Sequence, residues 1–157
     1  MTLSIHYRDA QALNTLVTET FSSWSNSICV TQEMIDQFAA LTDDHMWLHV
    51  DVERCASDSP FGSTIAHGFL LLSMLSRFNT LPDLTTLVSG YSHMMNYGSD
   101  KLRFLGAVPV NSEIQARSRI KEIEVAANKT KMVIETELKI IGKEKPVLLY
   151  EMVFVYL

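Results

Sequence analysis

Asp44 and His49 stand five residues apart in a polar stretch, LTDDHMWLHVDVERC, that also holds His45. A carboxyl and an imidazole have different pKa values, so a pair of them can hold one water and move its protons as general acid and base. Five residues of irregular backbone can bring both side chains to one point. The same spacing also suits an aspartate that caps a turn and a surface histidine, and the spacing alone leaves both readings open.

Gly68 is the second chemical candidate. It sits early in an apolar stretch, IAHGFLLLSML, where a helix is expected. There a glycine costs about 1 kcal/mol against alanine. A helix start leaves N–H groups free, and a missing side chain lets a ligand carbonyl approach the backbone, as in an oxyanion hole. Close packing of helix on sheet calls for a glycine equally well. His45 and His49 are followed by His67 and His93, but turn residues precede the first pair and no cysteine or carboxylate set completes a zinc site, so no metal is expected. The chain contains no G-x-S-x-G elbow, P-loop or G-x-G-x-x-G. Arg54, Lys101, Arg103, Lys129 and Lys131 form a candidate phosphate patch, and each also reads as an ordinary solvated charge.

The elements that must position these residues follow from periodicity. Ala10–Val17 reads as a short helix and Phe21–Val30 as a weak strand. Thr31 is an N-cap for a helix whose stripe is Met34, Phe38 and Leu41. A loop then runs to about Gly62. Ser63 or Thr64 caps a helix from about Ile65 to Phe78, which is apolar on every side and is therefore expected to be buried. Thr85–Tyr97 and Lys101–Phe104 read as strands. Ile114, Ala116, Ser118 and Ile120 alternate with charged residues, and the apolar phase then shifts at Ile123 as a bulge requires. Met132 to Ile140 alternates again, Gly142–Lys145 turns, and Val147–Leu157 is apolar enough to be a central strand. The expectation is an α+β fold: five or six antiparallel strands around one long helix.

Size and composition bound the rest. A chain of 157 residues, 47% hydrophobic and 20% charged, suggests one domain over 1–157 with a core that needs no staple. A net charge of −5 argues against a nucleic-acid partner. Cys29 and Cys55 make no disulfide framework, the first residues do not form a secretory signal, and no apolar run is long enough for a membrane span, so a cytoplasmic setting is expected.

FAALTDDHMWLH, Phe38–His49, followed by Ile65-Ala66-His67-Gly68, resembles the MaoC-like (R)-specific enoyl-CoA hydratases. Their motif is approximately [ST]-G-D-x-N-P-[LIV]-H, with [IV]-x-H-G opening a helix about twenty residues later. Asp44–Asp51, Pro60-Phe61-Gly62, Asn96-Tyr97-Gly98, and Arg103-Phe104 before Val108-Pro109-Val110 look like the NodN branch of that family. The resemblance runs from about Phe21 to the C-terminus. It implies a hot-dog fold, a curved antiparallel sheet wrapped around a central helix, in a homodimer with active sites near the interface.

The implied reaction is reversible hydration of a trans-2-enoyl thioester, on CoA or acyl carrier protein, to the (R)-3-hydroxyacyl thioester, with no cofactor. Asp44 and His49 fall on the catalytic pair, with His49 as base and Asp44 as orienting, proton-donating partner. Gly68 falls on the glycine whose N–H binds the thioester oxygen, and His67 and Ser63 join it in the oxyanion and substrate-binding set. Three positions depart from the motif: Asp43 stands for glycine, Met46 for asparagine and Trp47 for proline. Asn96 is a candidate for the missing amide. A hot-dog acyl-CoA thioesterase is the alternative enzyme, disfavoured because no carboxylate lies between Ile65 and Phe78. A non-catalytic acyl-thioester-binding subunit is the other alternative, favoured by Asp43 and Met46.

Overall fold

The computed structural model describes residues 4–157. In chain order the elements are β1 (Ile5–His6), α1 (Ala10–Asn14), β2 (Ile28–Cys29), α2 (Gln32–Thr42), α3 (Trp47–Val50), α4 (Val52–Asp58), α5 (Gly68–Ser73), α6 (Leu84–Leu87), β3 (Val88–Ser89), β4 (Met94–Phe104), β5 (Glu113–Val125), β6 (Thr130–Ile140) and β7 (Leu148–Tyr156). Five strands form one antiparallel sheet in the order β2-β5-β6-β7-β4, and β1 pairs with β3 in parallel apart from it.

Alternation builds the sheet. Ile114, Ala116, Ser118 and Ile120 are buried on β5 while the residues between them are not. The register slips between Ile120 and Glu122, which is the bulge that carries the apolar phase to Ile123. On the other face the charges pair: Arg117 with Glu137 at 2.7 Å, Arg119 with Glu135 at 2.6 Å and Lys121 with Glu151 at 2.8 Å. The first two pairs sit directly opposite in the β5–β6 register, where opposite charges stabilise a ladder.

The expected strand over Phe21–Val30 is regular only at Ile28–Cys29. Residues 18–25 still run along β5, bonding through Thr18, Ser22 and Ser25 N–H to Ile120, Ser118 and Ala116 carbonyls. The hydroxyls of Ser22 and Ser25 accept from the Ser118 and Ala116 N–H groups. Side-chain oxygens thus replace main-chain carbonyls, and the ladder is irregular for that reason. Trp24 is held between Arg117 and Lys139, at 4.6 and 4.2 Å from its ring.

The central helix is shorter than expected. α5 covers Gly68–Ser73 and tightens into a 3-10 turn over Met74–Arg77. Neither Ser63 nor Thr64 caps it. Thr64 donates to Gln32 and Ser63 to the Thr64 carbonyl, while Ile65 bridges to Pro109 as a strand would. Leu70, Leu71, Met74 and Leu75 pack with Ile114, Ala116, Leu138, Leu148 and Tyr150 of the sheet in the main core. Phe69 is 61% exposed, so the helix is not apolar all round because it is buried all round; its outer face carries a second apolar surface.

Three further expectations change. The loop to Gly62 contains two short helices, α3 and α4. The stripe of α2 is centred on buried Ile35 and Ala39, and Leu41 is 82% exposed. Residues 84–87 are helical, because Asp83 accepts from Thr85 N–H and caps them; after the short β3, β4 runs unbroken from Met94 to Phe104 with two register shifts.

Candidate active site

The site segment begins where α2 ends. Thr31 caps that helix at its start, with its hydroxyl accepting from Met34 N–H. Asp43 ends it at φ +59°, in the left-handed region that favours glycine. This turn sends Asp44 off the helix axis and back toward α3 and α5. α3 is nucleated by His49 N–H bonding to the Met46 carbonyl.

His49 is buried and fixed on three sides. Its Nδ1 lies 2.7 Å from the Ile65 carbonyl oxygen. A carbonyl only accepts, so the proton is on Nδ1 and Nε2 keeps its lone pair, the form a general base needs. Its own carbonyl accepts from Gln32 Nε2 at 2.8 Å. Its ring lies against that of His67, with centroids 3.7 Å apart and planes 26° apart.

His67, the residue that leads into α5, is buried with Nε2 3.0 Å from the Asp44 carbonyl oxygen and 4.0 Å from its carboxylate. Asp44, His49 and His67 each bring an acidic or basic atom within 4.8 Å of the others. The two rings lie face to face. One nitrogen of each ring is already committed to a carbonyl.

Beside the cluster is a cavity of about 510 Å³ lined by His49, Ile65, Ala66, Gly68, Leu71 and Phe104, among others. Its wall is mostly apolar, as a small-molecule site requires. Gly68 is the first residue of α5, so its N–H has no acceptor within the helix. A Cβ there would come within 2.9 Å of the Phe104 ring. The glycine therefore serves close packing against Phe104.

The structure brings together Asp44, His49, His67 and Gly68. It does not bring Ser63 or Asn96 to the cavity. Ser63 completes the turn before Ile65. Asn96 is exposed near the far end of β4 from Phe104, paired with Phe154. His67 backs the site rather than lining it. The phosphate patch also disperses: Arg54 lies over Trp47 at 4.1 Å and bridges Asp58, and Lys131 bridges Asp100. Sequence reasoning missed Gln32, Ile65 and Phe104. Gln32 ties α2 to both halves of the site, through His49 and Thr64. Nothing in the pattern marks it, because a glutamine at a helix start is ordinary.

Cys55 packs under α3, its thiol toward the Trp47 and Leu48 carbonyls. Burial, with Asp51 and Asp58 nearby, raises its pKa, so it stays a thiol and takes no nucleophilic role. Among the described residues no helix is long and apolar enough to cross a membrane.

Comparison with known proteins bears on this geometry. Residues 17–141 match the MaoC like domain family. A 3-hydroxyacyl-thioester dehydratase Z from Mycobacterium tuberculosis is 39% identical over 133 residues, covering 84% of this chain and 85% of that protein. Nodulation protein N from Rhizobium leguminosarum bv. viciae is 38% identical over 130 residues, 81% of this chain and 76% of that protein. Among solved structures, the (R)-hydratase from A. caviae involved in PHA biosynthesis superposes with a TM-score of 0.67 at 23% identity, covering 87% of this chain and 96% of that one. A monoamine oxidase regulatory protein from Archaeoglobus reaches 0.74 at 23% identity, covering 99% and 97%. These likenesses show the hot-dog fold, an α+β arrangement with a curled antiparallel sheet.

Proposed function

This chain belongs to the MaoC-like dehydratase family, and from that premise we propose that it is an (R)-specific hydratase and dehydratase of enoyl and 3-hydroxyacyl thioesters. The relatives' thioester chemistry supports the substrate class. The observation that carries the reading is His49: a buried imidazole with Nδ1–H spent on Ile65, a free Nε2, and a wall of the cavity as its outer face.

In the hydration direction, water sits between Asp44 and His49 Nε2. Its oxygen bonds to C3 of the enoyl thioester as His49 takes one of its protons. The π electrons move to the thioester oxygen, where the Gly68 N–H faces the growing enolate charge; one such donor is worth about 3 kcal/mol. His49 hands that proton to the Asp44 carboxylate, which delivers it to C2, so that the pair ends as it began. The apolar cavity takes the acyl part and keeps bulk water out. We also assign the chain to a homodimer built through its sheet, since Met95 and Tyr97, 74% exposed, lie on β4 at the sheet's edge; light scattering reads this directly.

The test is a panel of trans-2-enoyl-CoA substrates, followed by loss of the conjugated thioester absorbance. Asp44→Asn and His49→Gln are each expected to lower kcat by about 10²–10⁴-fold with only a small change in Tm. Equal rates in wild type and both variants would sink the reading. Binding of enoyl-CoA by calorimetry without turnover would instead favour the non-catalytic subunit, and release of free thiol would favour a thioesterase.

A further inference from the structure

His67 keeps one nitrogen that the hydration scheme leaves unused. The residue is 3% exposed. Its Nε2 faces the Asp44 carbonyl at 3.0 Å, so the proton is there, and its Nδ1 is buried with no hydrogen-bond partner. A second proton on Nδ1 would be a buried cation with nothing to accept its bond. The titratable groups facing the ring are the Asp44 carboxylate at 4.0 Å and His49, stacked at 3.7 Å; Phe38 from α2 closes the third side at 5.1 Å.

We propose that His67 is a positioning residue for the acid–base pair: a ring whose Nε2–H anchors the Asp44 backbone, whose Nδ1 has no partner to hold a proton, and whose face is the plate on which His49 is charged and discharged. The proposal rests on the hydratase reading. Two stacked imidazoles in a buried site share one positive charge far more easily than two. With Nδ1 unable to keep a proton, that charge falls on His49, whose Nε2 faces the cavity. The neutral π face of His67 then lies against the imidazolium that forms. The same ring holds Asp44 at a fixed distance from His49, so one side chain sets both the charge and the spacing of the pair.

Nitrogen-15 NMR of the histidines in the wild-type protein tests the first half without any substrate. His67 is expected to show a protonated Nε2 and a bare Nδ1 at neutral pH. The second half is read from two variants. His67→Phe keeps the plate and loses the anchor; His67→Gln keeps a donor and loses the plate. Each is expected to lower kcat by about ten- to a hundredfold with KM within about twofold, the scale of a misplaced catalytic group. The acid limb of the kcat profile moves to lower pH in His67→Gln and stays in place in His67→Phe. A proton on His67 Nδ1, or an Nε2 without one, would overturn the proposal, as would variants with a lowered Tm but unchanged kcat and pH profile. If neither variant folds, the wild-type spectrum still decides. If the wild type hydrates no enoyl thioester, the reaction reading fails while the spectrum reports separately on the ring.

Discussion

The sheet and the site segment are held together in different ways. In β5 every second residue from Ile114 to Ile120 is buried, β6 and β7 are buried along stretches of both faces, the register runs over Ile114–Val125 against Thr130–Ile140 with one shift, and the charges on the outer face sit opposite one another. Removing one such contact leaves many. From Asp43 to Gly68 the chain is turns and short helices, and its carbonyls are satisfied one at a time by side chains: Gln32 on His49, His49 on Ile65, His67 on Asp44. The sheet gains stability from area and repetition; the site segment gains geometry from a few single bonds. Substitutions in the two regions should therefore be read by different instruments, a melting curve for the first and a rate for the second.

The sharpest contrast is Leu138→Ala. Leu138 is fully buried in the main core on β6. Truncation is expected to lower stability by about 2–5 kcal/mol in chemical denaturation, with kcat per folded molecule unchanged. A fall in kcat comparable to that of Asp44→Asn would mean that the sheet tunes the site, and would break the distinction.

Gln32→Leu probes the boundary. It strips a partner from the His49 carbonyl and leaves the Thr64 hydroxyl, which is buried, without its acceptor. Unpaired buried polar groups cost about 1–3 kcal/mol. Because both lost bonds converge on the site, kcat should also fall, by about tenfold as His49 drifts. Loss of stability alone would place Gln32 with the sheet.

This residue also shows what the sequence conveyed and what it did not. Strands β5, β6 and β7, the bulge after Ile120 and the cap at Thr31 were legible because each is written in local alternation or in a single residue type. The acid, the base and the glycine were legible through their motif. Helices α3 and α4 were not, since Trp47–Asp58 has no apolar period and is held by contacts to α2 and to Ile65. The late start of the central helix had the same cause: Ile65 and Ala66 bond to Leu48 and Val108, partners far away in the chain. Asn96 looked like a replacement amide because its type fitted, and only the length of β4 separates it from the cavity.

Lys121→Met tests the outer face by pH. Glu151 is buried on the central strand β7, and its hydrogen bond raises the Lys121 pKa. A raised lysine contributes stability that is complete below its unfolded pKa, about 10.4, and is lost as pH rises through the higher folded value. Wild type should therefore lose stability in the alkaline range above that point. The variant should lack this component and be less stable at neutral pH by about 2 kcal/mol, below the figure for fully buried pairs because Lys121 is partly exposed. A variant whose alkaline unfolding matched wild type would show that Glu151 is satisfied by something other than Lys121.

The smallest expected effect lies at Asp43, where the two regions' rules meet. The family's motif has glycine there, and the structure supplies the reason: the residue ends α2 at φ +59°. That conformation costs a residue with a Cβ about 1–2 kcal/mol in general, and less for aspartate. The carboxylate of Asp43 approaches only His45, at 3.6 Å, in an exposed pair that contributes little. Asp43→Gly removes the steric cost and adds flexibility to the unfolded chain, effects of opposite sign. The net expected change is a gain of about 0.5 kcal/mol with kcat unaltered, since the turn that aims Asp44 keeps its shape. A loss of activity with unchanged Tm would mean that the Asp43 side chain takes part in the site, and that the departure from the motif is a change of chemistry rather than a tolerated strain.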